Sequence, residues 1–134
     1  MTLPIIKHSD RWGECIVRAD DKCTEIRWFD TTSDMSGKDF NRFLEVYAAI
    51  VEEAGLPGGL VDAVQFKMDT ALMSMGWRDA NIIPRYNAAG LRKFAFVMPA
   101  GMPAIGAPPQ LEGPADFPTA YFGTRRDALN WISE

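Results

Sequence analysis

The segment 76–87 carries the most varied chemistry of the chain, with the sequence GWRDANIIPRYN. It places two aromatic rings, Trp77 and Tyr86, near two guanidinium groups, Arg78 and Arg85. Rings supply apolar surface and guanidinium groups supply positive charge, so such a set binds anionic or amphiphilic molecules. We therefore predict that these four residues contact a ligand. The alternative is a solvated helix face whose two rings pack at the edge of the core.

Residues suited to covalent or metal chemistry are few. The chain has two cysteines, Cys15 and Cys23, and a single histidine, His8. Zinc sites take three or four protein ligands, so we expect no metal site. A Cys15–His8 nucleophilic pair would lack a neighbour that orients the imidazole, and the sequence contains no phosphate-binding glycine loop or serine-hydrolase motif. We predict no catalytic residue, no cofactor and no enzymatic activity.

Asp62 lies in an otherwise apolar stretch and has two possible roles. In a pocket, its carboxyl group would have a raised pKa and a functional role. At the end of a strand, it would accept hydrogen bonds from the backbone of the next loop. We favour the second role, because no partner acid or histidine is near it in the sequence.

The composition is that of one folded domain, residues 1–134. A net charge of −4 gives no electrostatic reason to bind nucleic acid or an anionic membrane. No apolar run reaches the roughly 20 residues of a transmembrane helix, and the apolar start is too short for a signal peptide. We therefore expect a cytoplasmic protein with free thiols, although a disulfide between Cys15 and Cys23 across a hairpin is conceivable.

Alternating apolar and polar residues predict a β-hairpin in the first third of the chain. Its strands are residues 12–19 and 23–29, joined by a short turn. Glu25 and Arg27 share one face of the second strand, which indicates that this face is partly exposed to water. The residues before the hairpin, including His8, are expected to fray.

Two helices are predicted in the middle of the chain. The first begins after the cap residue Ser36, carries one apolar stripe and ends at about Ala54. The second begins near Thr70 and continues towards Ala89, but Pro84 should kink or break it.

Three further strands and a closing helix complete the pattern. The strands are residues 59–65, 93–98 and 119–122, and the helix follows Thr124. The order of elements predicts an α/β fold with a mixed sheet of four to five strands and about three main helices packed against it.

Residues 99–118 form a proline-rich loop that contains six prolines. Prolines exclude helix and central strand, yet the loop also carries apolar side chains such as Met102. Such a loop covers an apolar cleft, contacts a second copy of the chain, or folds rigidly over its own domain. Met102 therefore joins the predicted ligand-binding residues.

Three stretches together resemble the SpoIIAA-like proteins of bacteria, whose fold is related to the STAS domains of anti-sigma-factor antagonists. They are residues 59–63 (GLVDA), 88–97 (AAGLRKFAFV) and 120–132 (AYFGTRRDALNWI). The resemblance implies a single SpoIIAA/STAS-like domain. It does not imply one activity, because much of the group has no assigned biochemistry.

In the antagonists a phosphorylated serine opens a helix after the third strand. The nearest segment here is 69–72 (DTAL), so the resemblance implies Thr70 as the phosphorylation site. The second serine and the glycine of that pattern are absent. The alternative is that Asp69 or Thr70 simply caps the second helix.

The resemblance favours a non-enzymatic regulatory or binding module that acts through protein–protein contacts and forms a homodimer. A second hypothesis is a carrier or sensor of a small apolar or anionic, lipid-like ligand held between the second helix and the proline-rich loop. Lipid-binding CRAL-TRIO domains, which share a distant fold similarity with this group, keep that hypothesis open.

Overall fold

The computed structural model describes residues 2–134, in which seven strands form one mixed sheet with the order β1-β2-β3-β4-β5-β7-β6. The central strands β3, β4, β5 and β7 run parallel, and β1, β2 and β6 pair antiparallel with their neighbours. The strands are β1 (Ile5–Ser9), β2 (Gly13–Arg18), β3 (Cys23–Trp28), β4 (Gly58–Asp62), β5 (Lys93–Val97), β6 (Gln110–Leu111) and β7 (Pro118–Phe122). The α/β class and the mixed sheet are confirmed, whereas the prediction of four to five strands is wrong.

Helices cover both faces of the sheet. They are α1 (Gly37–Ala54), α2 (Met75–Asn81), α3 (Ile83–Ala89) and α4 (Arg125–Ser133). Helix α1 packs on β2 and β3 and contacts α3, whereas α4 packs on β4, β5 and β7 from the other side. Among residues 2–134, no helix has the length and apolar character needed to cross a membrane.

Helix α1 follows the prediction closely because its signals are local. The Ser36 hydroxyl accepts a hydrogen bond from the Asp39 amide at 3.1 Å, and the Asp39 carboxylate accepts from the Ser36 amide, which together form a capping box. Gly55 ends the helix with a φ of 65°, a left-handed conformation that costs glycine little. The predicted apolar stripe is buried at Phe40, Phe43, Leu44, Tyr47 and Val51, whereas its remaining members, Ile50 and Ala54, are partly buried.

The second predicted helix is broken, as Pro84 indicated. Residues Thr70–Leu72 form only a 3-10 turn, α2 begins at Met75, and α3 begins at Ile83 with Pro84 in its first turn. Proline has no backbone N–H and suits the first turn of a helix, so it starts α3 rather than continuing α2.

The strand count is too low because β1 and β6 lie at the edges of the sheet. The prediction that the first residues fray is wrong for Ile5–Ser9, which pair with β2. Ile5 and Ile6 are about half exposed, so this strand is held by backbone hydrogen bonds rather than by a buried apolar face. Strand β6 contains only Gln110 and Leu111, within the proline-rich segment, and both are exposed.

Side chains of β3 divide between two apolar clusters, one on each face of the sheet. Ile26 and Trp28 lie in the larger cluster under α1 and α3, whereas Cys23 lies in the smaller cluster under α4. Glu25 shares the face of Cys23 and is 0% exposed. The prediction that this face is partly exposed to water is therefore wrong at Glu25, because α4 covers Glu25 and supplies Arg125 as its ion-pair partner.

Gly59 in β4 is a position where a side chain does not fit. A Cβ there would lie 2.5 Å from the Phe94 ring and 3.3 Å from the Tyr47 hydroxyl oxygen. We expect Gly59→Ala to lower the free energy of unfolding by about 1–3 kcal/mol, measured by urea denaturation. Gly76→Ala in α2 is the matched control, since nothing lies within 4 Å of its Cβ, and we expect a gain of about 0.5–1 kcal/mol. Equal effects at both glycines would contradict this explanation.

Candidate functional site

An apolar cavity of about 290 Å³ lies on the face of the sheet that carries the larger cluster. Its floor comes from three parallel strands, through Ile26 of β3, Val61 of β4 and Phe94 and Phe96 of β5. These residues point to this face because side chains alternate along each strand. Neighbouring strands therefore present a continuous apolar floor.

The side walls of the cavity are also apolar. Helix α1 contributes Phe40, and the segment between β4 and α2 contributes Phe66 and Met73. Met75 lines the cavity and is 44% exposed, so it lies at an opening. Methionine side chains are flexible and polarizable, which lets such a wall adapt to ligands of different shape.

Polar groups line part of the same cavity. Arg78 of α2, Glu112 after β6 and Tyr121 of β7 all contribute to its wall, and each is partly buried. The Tyr121 hydroxyl donates to the Glu112 carboxylate, with distances of 2.9 and 2.8 Å to its two oxygens. Burial and this bond raise the pKa of Tyr121, while the charge of Arg78 acts in the opposite direction. The wall of one cavity therefore carries a hydroxyl group and two opposite charges.

The proline-rich segment folds over its own domain and forms part of the site. Ala115 and Phe117 are buried in the larger cluster. Asn87 of α3 holds the backbone beside them: its Nδ2 donates to the Pro114 carbonyl at 3.0 Å, and its Oδ1 accepts from the Asp116 amide at 2.9 Å. This attachment places Glu112 against the cavity.

Two of the predicted ligand-binding residues, Arg78 and Tyr86, line this cavity together. Trp77 instead faces a groove beside α1. The Arg85 guanidinium binds the Glu52 carboxylate on α1, with N–O distances of 3.0 and 2.5 Å, and Met102 is exposed outside the cavity wall. The structure thus brings only part of the predicted set to one place, because α2 and α3 are separate short helices that turn these side chains in different directions.

Sequence reasoning did not find several cavity residues. These are Met73, Met75, Met98, Glu112 and Tyr121. Met73 and Met75 lie next to the break in the second predicted helix, and Glu112 lies in the proline-rich segment, so no pattern marked them. Alternation along the strands did offer a signal for the other two, since Met98 shares a face with Phe94 and Phe96, and Tyr121 falls on the face opposite Ala120.

The segment that contains Thr70 also borders the cavity. The Asp69 carboxylate accepts a hydrogen bond from the Ala71 amide at 2.9 Å and caps the 3-10 turn Thr70–Leu72. The alternative prediction, that Asp69 or Thr70 caps the second helix, is wrong, because α2 begins only at Met75 and Ser74 precedes it. Thr70 is exposed and lies in the cavity wall. Its phosphorylation stays a prediction.

A partly buried ion-pair cluster surrounds the fully buried Glu25 on the other face of the sheet. The Arg125 guanidinium contacts Glu25 Oε2 at 2.6 Å and Asp62 Oδ2 at 2.8 Å, and Arg18 Nε contacts Glu25 Oε1 at 2.5 Å. Burial acts to raise the pKa of Glu25, but the hydrogen bonds from Arg125 and Arg18 lower it below the usual range. Asp62 also accepts from the Val64 amide at 3.2 Å, as predicted for a carboxylate at the end of a strand.

His8 and Cys15 lie opposite each other in the β1–β2 ladder. Asp10 contacts the His8 Nε2 at 2.8 Å, so the expectation that nothing orients the imidazole is wrong. Cys15 is fully buried, however, and burial together with the charge of Asp10 raises the pKa of its thiol to about 12. A thiol in this environment is a poor nucleophile.

The two cysteines belong to clusters on opposite faces of the sheet, and both are free. Within residues 2–134, no group of three or more histidine, cysteine or acidic side chains is arranged to hold a metal ion.

Comparisons of the chain with protein-family models, curated proteins and solved structures found no match.

Proposed function

We propose that this protein binds a small, mainly apolar molecule in the cavity between the sheet, α1 and the segment 66–78. The observation that carries the proposal is a partly open space of about 290 Å³ with apolar walls and a few polar groups. Ligand pockets have this composition, since apolar walls supply binding free energy and a few polar groups orient the ligand. The second hypothesis from the sequence, a carrier or sensor, is therefore the one we adopt.

The size of the cavity limits the ligand. At about 30 Å³ for each water-sized group, the cavity holds about ten non-hydrogen atoms. An eight-carbon chain with a small head group fits this space. A ligand of this size binds with a Kd of about 50 µM if each atom contributes about −0.6 kcal/mol, which lies within the usual range.

We expect 1-octanol to bind with one-to-one stoichiometry and a Kd of about 10–100 µM. Isothermal titration calorimetry measures this directly, and burial of the chain should give a negative heat-capacity change on binding. A linear, non-saturating heat signal up to the solubility limit of octanol would contradict the proposal. Native mass spectrometry of the protein from its own cells then identifies the natural ligand.

The regulatory role through protein contacts and the homodimer stay predictions from the resemblance to SpoIIAA-like proteins. One surface favours self-association: the edge strand β1, where Ile5 and Ile6 are 49% and 57% exposed. Exposed apolar edge strands pair readily with another strand. A role in protein contacts is compatible with ligand binding, because the cavity lies away from β1.

A further inference from the structure

The polar part of the cavity wall contains two opposite charges that do not pair with each other. Arg78 and Glu112 both line the cavity. None of the ion pairs found within residues 2–134 includes either of them, so their charged atoms are more than 4.0 Å apart. Glu112 accepts a hydrogen bond from the Tyr121 hydroxyl, which lines the same cavity as Arg78. The wall of this cavity thus carries a cation and an anion that do not neutralise each other in an ion pair.

The hydrogen-bonding capacity of these three groups is specific. The Arg78 guanidinium is only a donor, and the Glu112 carboxylate is only an acceptor. Tyr121 already donates its proton to Glu112, so its oxygen is left as an acceptor. A head group that satisfies the site must therefore accept from Arg78 and donate to Glu112 or Tyr121.

A head group with a net charge is poorly matched to this arrangement. A carboxylate gains the attraction of Arg78 but faces the charge of Glu112, and an ammonium group has the reverse problem. Interactions between charges are stronger in partly buried surroundings than in water. Because the two residues have opposite charges, the attraction to one and the repulsion from the other largely cancel. An ionic head group also loses its hydration when it enters the cavity, and this loss costs more free energy than the dehydration of an uncharged group.

Given the proposed function, on which this step rests, we infer that the ligand carries an uncharged head group that both accepts and donates hydrogen bonds. A carboxamide fits best: its oxygen accepts from Arg78, and its NH2 group donates to Glu112. The site therefore selects a short apolar chain with an amide-like end over the corresponding acid or amine.

Three probes with the same eight-carbon chain test this inference: octanamide, octanoate and octylamine at pH 7. We expect octanamide to bind about tenfold more tightly than either ionic probe in calorimetry, which corresponds to one hydrogen bond to a charged group. Equal affinities, or tighter binding of octanoate, would overturn the inference while leaving the proposed function intact. If none of the three probes nor 1-octanol binds, the proposed function itself fails.

Two charge-removing variants provide the second measurement. Arg78→Met leaves Glu112 alone and should shift the preference towards octylamine by about tenfold. Glu112→Gln leaves Arg78 alone and should shift the preference towards octanoate by a similar factor. Arg85→Met is the control, since Arg85 pairs with Glu52 outside the cavity and should leave the preference unchanged. The ratio of the affinities for octylamine and octanoate is taken within each variant, so it does not depend on small changes in the folding stability of that variant. Unchanged ratios in both Arg78→Met and Glu112→Gln would refute the inference.

Discussion

Replacement of Arg125 by methionine should lower the free energy of unfolding by about 3–5 kcal/mol. Arg125 binds both oxygens of Glu25, at 3.0 and 2.6 Å, and Glu25 is 0% exposed. Without the guanidinium, Glu25 keeps only Arg18 as a partner, and a buried carboxylate is left incompletely compensated. Urea denaturation measures the loss.

Arg126→Met is the matched control for this prediction. Arg126 is the next residue of α4, it is exposed, and it takes part in no ion pair found within residues 2–134. We expect this variant to change the free energy of unfolding by less than about 0.5 kcal/mol. Similar losses in the two variants would show that the effect comes from helix α4 in general and not from the ion-pair cluster.

The same cluster predicts how stability depends on pH. The pKa of Glu25 is lower in the folded protein than in the unfolded chain, because the hydrogen bonds from Arg125 and Arg18 outweigh the effect of burial. The contribution of Glu25 to stability is therefore complete at pH values above the usual pKa range of glutamate. It is lost as the pH falls through the lowered pKa of the folded protein. Glu25→Gln should show a weaker loss of stability on acidification than the natural protein.

Ala63→Phe should weaken the binding of 1-octanol by about 100-fold or more. Ala63 follows β4, is 7% exposed and lines the cavity, so a phenyl ring at this position occupies space that the ligand needs. Filling a cavity restores lost contacts, so the free energy of unfolding should stay the same or rise. Calorimetry measures the affinity, and thermal denaturation measures the stability.

Ala80→Phe is the control for the cavity-filling variant. Ala80 lies on α2 and is exposed, and it does not line the cavity. We expect this variant to bind 1-octanol with the affinity of the natural protein. If Ala63→Phe also binds normally, the ligand occupies another place on the protein.

The sequence by itself determined the elements whose signals are local. Helix α1 has its cap, its stripe and its terminating glycine within one continuous segment, and all three appear in the structure. The apolar run at residues 93–98 predicted a strand, and β5 forms there at Lys93–Val97. Pro84 marked the break between α2 and α3 because its effect depends only on its own ring and backbone.

The tertiary structure alone decided the edges of the sheet and both polar sites. Strand β1 forms because β2 offers unpaired backbone groups, and no pattern within residues 5–9 specifies that pairing. Glu25 and Arg125 are 100 residues apart, and Arg78 of α2 and Tyr121 of β7 come together only in the wall of one cavity. Such contacts depend on how parallel strands and their crossover helices pack, so the charge of a side chain in the sequence does not reveal its partner or its burial.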